Sequence, residues 1–419
     1  MRSPFEGLPR EVGVLAAVAV AVAVGFGVVA PAIPEFARSF GVGKTAAGAV
    51  ISAFALMRFA SALGGGRLVD AVGERIILST GIGIVAVSTG LAGLSQSYVQ
   101  LLVLRGIGGV GSAMFTVSAT ALLFRVVDGS HRGRATGLFQ SGFLIGGLLG
   151  PLVGGFLTEY SLRLPFFVYA VSLVAAGSIG AVFLRAARPR TRPEGDHDPR
   201  ASEPSHPAGP PPPHEHLDNT SLRDAWAHPG YRAAVAVNFA IGWSFFGVRA
   251  SLIPLFVTEA LHQRALWIGV GFLCSSLVQA SFLTMAGRFV DRHGRRPAMI
   301  GGTLTAGAAL AVLALSTALP LYLVAMTVIG LGGAFVGTAP GAVVGDIMRG
   351  RGGSVVAVFQ MASDAGSITG PLAAGWLADT ASFGAAFGAC AVVMAGAAAM
   401  AVRMPETLVR SASGYPGSA

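Results

Sequence analysis

Twelve apolar runs of about twenty residues each constrain this chain more than any other feature of its sequence. They cover Val12–Pro34, Ala46–Gly64, Arg75–Leu94, Tyr98–Leu122, Ala135–Leu157 and Pro165–Leu184. After a polar gap come Arg232–Val257, Leu266–Ala286, Pro297–Thr317, Leu319–Val343, Gly353–Leu377 and Phe383–Val402. A helix needs about 20 predominantly apolar residues to cross roughly 30 Å of hydrocarbon, and each run meets that length. Composition agrees, since only 12% of residues are charged and 53% are hydrophobic. A water-facing globule of about 25% charged residues would have to wet its whole surface, and this chain has half that supply. The spacing therefore predicts an all-α polytopic membrane protein of twelve spans, six on each side of the gap.

The first run is too long for the 7–15-residue core of a signal peptide and meets no clear cleavage site, so it is expected to stay as a span. The gap, residues 185–231, contains four consecutive prolines from Pro210 to Pro213 and no apolar run. It is expected to be a disordered cytoplasmic linker between bundles at 1–184 and 232–402, with a short tail at 403–419. His214-Glu215-His216 lies inside it without converging ligands, so neither metal nor cofactor is expected. The two cysteines, Cys274 and Cys390, sit in apolar runs and are read as small hydrophobes.

Arginine placement gives the orientation. Arg67, Arg75, Arg125, Arg132, Arg134, Arg288, Arg292, Arg295, Arg296, Arg349, Arg351 and the linker arginines fall on one side. Arg38, Lys44, Arg163 and Arg264 fall on the other. The positive-inside rule then places both termini and the linker in the cytoplasm. It also accounts for the net charge of +9 without a nucleic-acid partner.

The halves repeat. Gly66-Arg67-Leu68-Val69-Asp70 with Gly73 and Arg75 matches Gly287-Arg288-Phe289-Val290-Asp291 with Gly294 and Arg296. Gly109 and Ala113 match Gly330 and Ala334, and Gly150-Pro151 matches Gly370-Pro371, all at offsets of 220 or 221 residues. A register held over three landmarks indicates a duplicated six-helix unit.

The segment Gly287-Arg288-Phe289-Val290-Asp291-Arg292-His293-Gly294-Arg295-Arg296 resembles the signature loop of the major facilitator superfamily, and the chain is similar to its twelve-span drug/proton antiporters. The first-half copy keeps Gly66, Asp70, Gly73 and Arg75 but has Ala71 and Glu74 where basic residues are usual. The resemblance implies that both loops act as cytoplasmic gate latches; a static basic loop is the plainer reading. Gly146, Gly150-Pro151 and Gly154-Gly155 resemble the glycine–proline element of antiporters, although helix packing alone also calls for small residues. Arg105 with Gly109 and Gly111 is similar to a second antiporter motif.

Ionisable groups inside spans are functional candidates by default. Arg105 and Asp364 are the proton-coupling candidates, with snorkelling or structural pairing as the competing roles. Arg58, Asn238, Trp243, Phe246, Arg249, Gln279 and Gln360 are candidates for the substrate cavity, and Arg58 or Arg249 could instead neutralise Asp364. Gly106-Ile107-Gly108-Gly109-Val110-Gly111 fits a dinucleotide fingerprint but lies within an apolar span, without the strand such a site needs. Gly43-Lys44-Thr45 lacks the first glycine of a phosphate loop. No enzyme is expected.

The resemblance implies proton-coupled efflux of a small amphipathic molecule, such as a drug or natural product, from a bacterial cytoplasmic membrane. One duplicated chain is sufficient for this as a monomer. Uptake of a sugar or organic acid, and a non-transporting receptor or assembly protein, are the competing readings.

Overall fold

The computed structural model describes residues 9–127, 132–183, 220–348 and 353–408, and among these it has sixteen α-helices and no strand. Lipid offers backbone groups no hydrogen-bond partner, so apolar runs of this length satisfy their N–H and C=O groups internally as helices.

The N-terminal half comprises α1 (Arg10–Val29), α2 (Ala32–Arg38), α3 (Lys44–Val72), α4 (Glu74–Gly93), α5 (Tyr98–Val126), α6 (Arg132–Tyr160) and α7 (Leu164–Phe183). Helices α1 and α2 make one rod that is interrupted at Ala30-Pro31, where proline removes a donor. The C-terminal half begins with the short α8 (Leu222–Ala227). Its first span runs through α9 (Pro229–Ile241) and α10 (Arg249–Leu255), with π-helical stretches at Gly242–Val248 and Phe256–Ala260. Then follow α11 (Leu266–His293), α12 (Arg295–Ala314), α13 (Leu319–Val336), α14 (Ala339–Ile347), α15 (Gly353–Thr380) and α16 (Phe383–Val402).

Eleven of the resulting rods are long and apolar enough to cross a membrane. The remaining one, α15, has the length at 28 residues but carries Gln360, Ser363, Asp364, Ser367 and Thr369. It is the most polar rod, and it lies where the halves meet.

Within the first half, α1 packs on α6 and α7, α4 on α5 and α7, and α3 on α5. Within the second, α12 packs on α13 and α16, α11 on α13, and α9 on α14, α15 and α16. The halves join along α3–α15 and α6–α11. The internal repeat exchanges these two seams, as a pseudo-twofold axis between the halves requires. Glycines set the α1–α6 approach: a Cβ on Gly146 would lie 2.3 Å from Ala23, and one on Gly154 2.2 Å from the Val28 carbonyl oxygen. Gly150 meets Gly27 in the same way, whereas Gly155 turns across the seam, toward Ala265 and Gly269 of the other half.

Two sequence expectations need correction. Gly66–Asp70 and Gly287–Asp291 are not loops; they are the closing turns of α3 and α11, and only Gly73 and Gly294 break the chain, at φ +96° and +115°. Polar residues at those positions leave the hydrocarbon while the helix continues. The final residues of the expected linker 185–231 are also helical. Ser221 caps α8 by accepting from the Asp224 N–H, and His228 caps α9 with Pro229 in its first turn. Residues 184–219, including the polyproline run and His214-Glu215-His216, lie outside the described residues, as do Arg349 and Arg351.

Candidate functional site

Small residues bring α3 and α15 together. A Cβ on Gly48 would lie 2.5 Å from the Pro371 carbonyl oxygen, and Gly375 packs equally tightly on Thr45. Ser52 donates to the Ile368 carbonyl at 2.7 Å. One and a half turns farther along α3, the Arg58 guanidinium donates directly to the Asp364 carboxylate. Both side chains keep partial access, at 41% and 23% exposed, so the pair lines a space rather than sitting in packed core. A lone charge at this depth costs at least about 2–3 kcal/mol, and opposite charges on facing helices remove most of that penalty. Of the alternatives the sequence left for Arg58, the structure places it on Asp364. Gln360, one turn before Asp364, is exposed on the same helix.

Arg105 approaches the same stretch of α3 from α5. It is 2% exposed, with its guanidinium 4.5 Å over the Phe54 ring and Tyr169 of α7 nearby. Its Nε is buried with no hydrogen-bond partner. Gly109, one turn along α5, packs against the backbone of Phe54 and Arg58. Both coupling candidates therefore converge on one stretch of α3: Asp364 through Arg58, and Arg105 through Phe54.

The remaining candidates do not share this seam. Arg249 follows the π-helical stretch and sits 4.5 Å over Phe272, its Nε buried and unpartnered. The adjacent cavity, between Ser244, Phe245, Leu310, Ile329 and Phe387, has a volume of about 10 Å³. That is room for one water at most, so Arg249 faces the interior of the C-terminal bundle. Asn238 donates to the Phe359 carbonyl at 2.6 Å, which pins α9 to α15. Trp243 packs its backbone against Gly366 and Gly370 of α15. Gln279 lies against Gly333, near Phe245, and Phe246 is 62% exposed.

The sequence did not single out the end of the molecule that carries Lys44 and Glu259. There, ion pairs and hydrogen bonds tie one half to the other. Arg38 pairs with Glu259 at 2.7 Å, and Lys44 approaches Glu259 at 3.7 Å and Asp379 at 3.9 Å. Asp379 also accepts from the Lys44 and Thr45 N–H groups, both at 2.8 Å, and from the Thr45 hydroxyl at 2.7 Å. Thr258 donates to Glu35, and Arg264 to Glu159, each at 2.5 Å. The signal was present in the sequence: Arg38, Lys44 and Arg264 are three of the four cations that break the inside bias.

At the opposite end every ion pair among the described residues stays within one half. Arg295 pairs with Asp346 at 2.9 Å and approaches Asp291 at 3.5 Å, and Arg125 pairs with Glu74 at 2.9 Å. The departure at Glu74 thus has a local use. Asp291 is 73% exposed, and Arg292 is exposed as well. Glu406, in the tail, accepts from the N–H groups of Arg295 at 2.8 Å and Arg296 at 3.1 Å, capping α12. Partial burial pushes the Glu406 carboxyl up, but the N–H groups of Arg295, Leu408, Arg296 and Thr407 outweigh that and hold it below the usual carboxylate range. The Asp70 side chain lies outside what the structure describes. Among the described residues, the ion pairs of the second signature turn stay within its own half.

Comparison with known proteins places this geometry in a family. The sequence profile of the Major Facilitator Superfamily matches residues 15–250 and again 235–415. Multidrug resistance protein 1 of Bacillus subtilis (strain 168) is 30% identical over 170 residues, which is 41% of this chain and 43% of that protein. Quinolone resistance protein NorA of Staphylococcus aureus (strain MRSA252) is 29% identical over 143 residues, 34% of this chain and 37% of that one. These matches span less than half the length of either relative. Among solved structures, a bacterial homolog of the human lysosomal transporter Spinster, in an inward-facing and unoccupied conformation, superimposes with a TM-score of 0.72 at 15% identity. It covers 93% of this chain and 95% of its own. A POT family transporter in complex with 5-aminolevulinic acid gives 0.74 at 11% identity over 95% and 96%. At these identities the structures speak to the fold, and the profile speaks to the family. The chain is a multi-pass membrane protein that belongs to the major facilitator superfamily.

Proposed function

We propose that the chain exports small amphipathic molecules in exchange for protons, with both termini and both signature turns in the cytoplasm and the ion-paired end outside. The observation that carries the reading is the Arg58–Asp364 pair. Away from the ion-paired end it is the carboxylate–guanidinium contact that joins the halves among the described residues. A proton on Asp364 discharges that contact, so the protonation state of one residue reaches both bundles. A cationic or hydrogen-bonding cargo that engages Asp364 competes with the proton, and antiport requires that competition. Arg105 supplies a second fixed positive charge across α3, which a bound proton or cationic cargo approaches at a cost. Ion pairs that join the halves at the proposed outer end suit loading from the cytoplasm. The names of the multidrug and quinolone resistance relatives support an amphipathic cargo. The duplicated unit supplies the whole seam, so a monomer is sufficient.

The test uses inside-out membrane vesicles, a fluorescent amphipathic dye and an imposed pH gradient, acid inside. The wild type is expected to accumulate dye until a protonophore collapses the gradient. Asp364→Asn and Arg58→Gln are expected to lose gradient-driven accumulation while retaining downhill dye exchange. Full-rate accumulation in both variants would remove the pair from the mechanism. Accumulation only under the opposite gradient would indicate uptake by symport.

A further inference from the structure

One cavity lies away from the seam. It is a groove of about 470 Å³ between α8, α9, α15 and α16, with Val235, Ala236, Phe239, Ala362, Val393 and Met400 on its walls and Trp226 and Arg232 at its rim. Its shape follows from local structure. Ala225 of α8 is fully buried, and the Trp226 ring meets Tyr231 edge-on at 5.9 Å. The Tyr231 hydroxyl donates to the Val355 carbonyl of α15 at 2.7 Å. These contacts fix α8 across the end of the bundle, and small residues on α9 and α15 leave the space beneath it open. The walls offer no polar partner that would hold water, and the surroundings of this face are lipid.

The rim is cationic. Arg223, Arg232 and Arg403 are all exposed at this end of the molecule, and none has an ion-pair partner among the described residues. The nearby acids are engaged: Asp224 accepts from the Ser221 hydroxyl at 2.6 Å, and Glu406 caps α12. We propose that the groove holds one acyl chain of an anionic phospholipid from the leaflet on this side, with the lipid phosphate on Arg232. A flat lipid-facing surface exchanges its lipids freely, because tails and side chains are equally apolar. A concave groove adds contacts along the whole chain, and a half-exposed Trp beside Arg is the pairing that membrane interfaces favour. Each basic residue near such a surface raises affinity for anionic lipid by about five-fold.

The experiment is native mass spectrometry of the full chain, purified in detergent and titrated with phosphatidylglycerol, phosphatidylcholine of the same chain length, or glycerol phosphate alone. The wild type is expected to retain one phosphatidylglycerol, several-fold in preference to phosphatidylcholine, and to retain no glycerol phosphate. Arg232→Gln is expected to bring phosphatidylglycerol down to the phosphatidylcholine level, and Arg232→Lys to restore the preference. Ala236→Trp and, independently, Val393→Trp fill the groove and are expected to abolish retention of both lipids. Each groove variant is first checked for a monodisperse profile and an unchanged melting temperature in lipid-free detergent. The Arg232 series stands alone if neither passes. Equal retention of the two lipids by the wild type would overturn the proposal. So would undiminished phosphatidylglycerol retention in Arg232→Gln or in folded groove variants, or capture of glycerol phosphate without a chain.

Discussion

Glu259 is the acceptor shared by two cross-half cations, so Glu259→Gln is the sharpest single perturbation of the closed end. The substitution keeps the side-chain shape and removes the charge that Arg38 meets at 2.7 Å and Lys44 at 3.7 Å. The three side chains are 17–31% exposed, so each pair belongs near the upper part of the surface range, about 0.5–1 kcal/mol. Glu35 lies close enough to feel the Glu259 charge, and relief of that repulsion returns a fraction of the loss. The net weakening is about 1–1.5 kcal/mol, which multiplies the ratio of open to closed forms at this end by roughly five to twelve. Spin labels at Tyr160 and Leu315, exposed positions on opposite halves near this end, would report the change as a distance distribution. An open population near 1% in the wild type should rise to about 5–10% in the variant, with the short distance itself unmoved. If the distribution of the variant matches that of the wild type, these pairs do not hold the end closed.

Three further outcomes follow from particular contacts. Gly294→Ala should lower the melting temperature in detergent by several degrees more than Gly73→Ala. Both impose a positive φ on a residue with a Cβ, at about 1–2 kcal/mol, but only at Gly294 would that Cβ meet the Glu406 carboxylate, at 2.3 Å; a Glu406→Ala background should narrow the gap, and equal losses would refute the contact. Arg105→Met should hold or raise the melting temperature while abolishing gradient-driven transport, because it removes a buried charge with an unfilled donor; lower stability with intact transport would reverse the assignment. Finally, the Glu406 carboxyl lies below its unfolded value, so its clasp on α12 is complete at neutral pH and is lost as pH falls through the depressed value, under the ordinary range of about 4. Hydrogen exchange at the Arg295 and Arg296 amides should therefore accelerate at acid pH, by the equivalent of about 1 kcal/mol, and Glu406→Gln should show faster exchange already at pH 7.

Much of the architecture was legible because lipid restricts the options. Apolar runs of span length have one hydrogen-bonding solution, and the 221-residue offset fixed which helices are equivalent. The Arg58–Asp364 contact was within reach as one of several pairings, since two unlike charges in opposite halves have strong reason to meet. The direction of Arg249 was not. Each π-helical turn admits an extra residue and rotates the following face by about 100°, so helical periodicity from Pro229 onward loses its phase at Gly242. The sealed end was illegible for a different reason. Arg38 and Glu259 are 221 residues apart, and nothing local marks them as partners. The helical continuation of α3 to Val72 is not marked in the sequence, because polar residues there end the hydrocarbon and not the helix.

The strength of the sealed end bears directly on what can drive the transporter. Arg38–Glu259, Lys44 with its two carboxylates, and Arg264–Glu159 are all partly exposed, and together they contribute about 2–4 kcal/mol to closure. Unopposed, that would hold the form open at this end to roughly 3% down to 0.1% of molecules. At the opposite end Arg295, Asp346 and Glu406 are engaged with one another within the C-terminal half. A charge moved through a membrane potential gains about 2.3 kcal/mol per 100 mV. In the proposed antiport, one or two protons would supply energy on the scale of this seal. A seal of this strength leaves opening within reach of the proton gradient that the proposed exchange would use, and still rare enough to limit leakage.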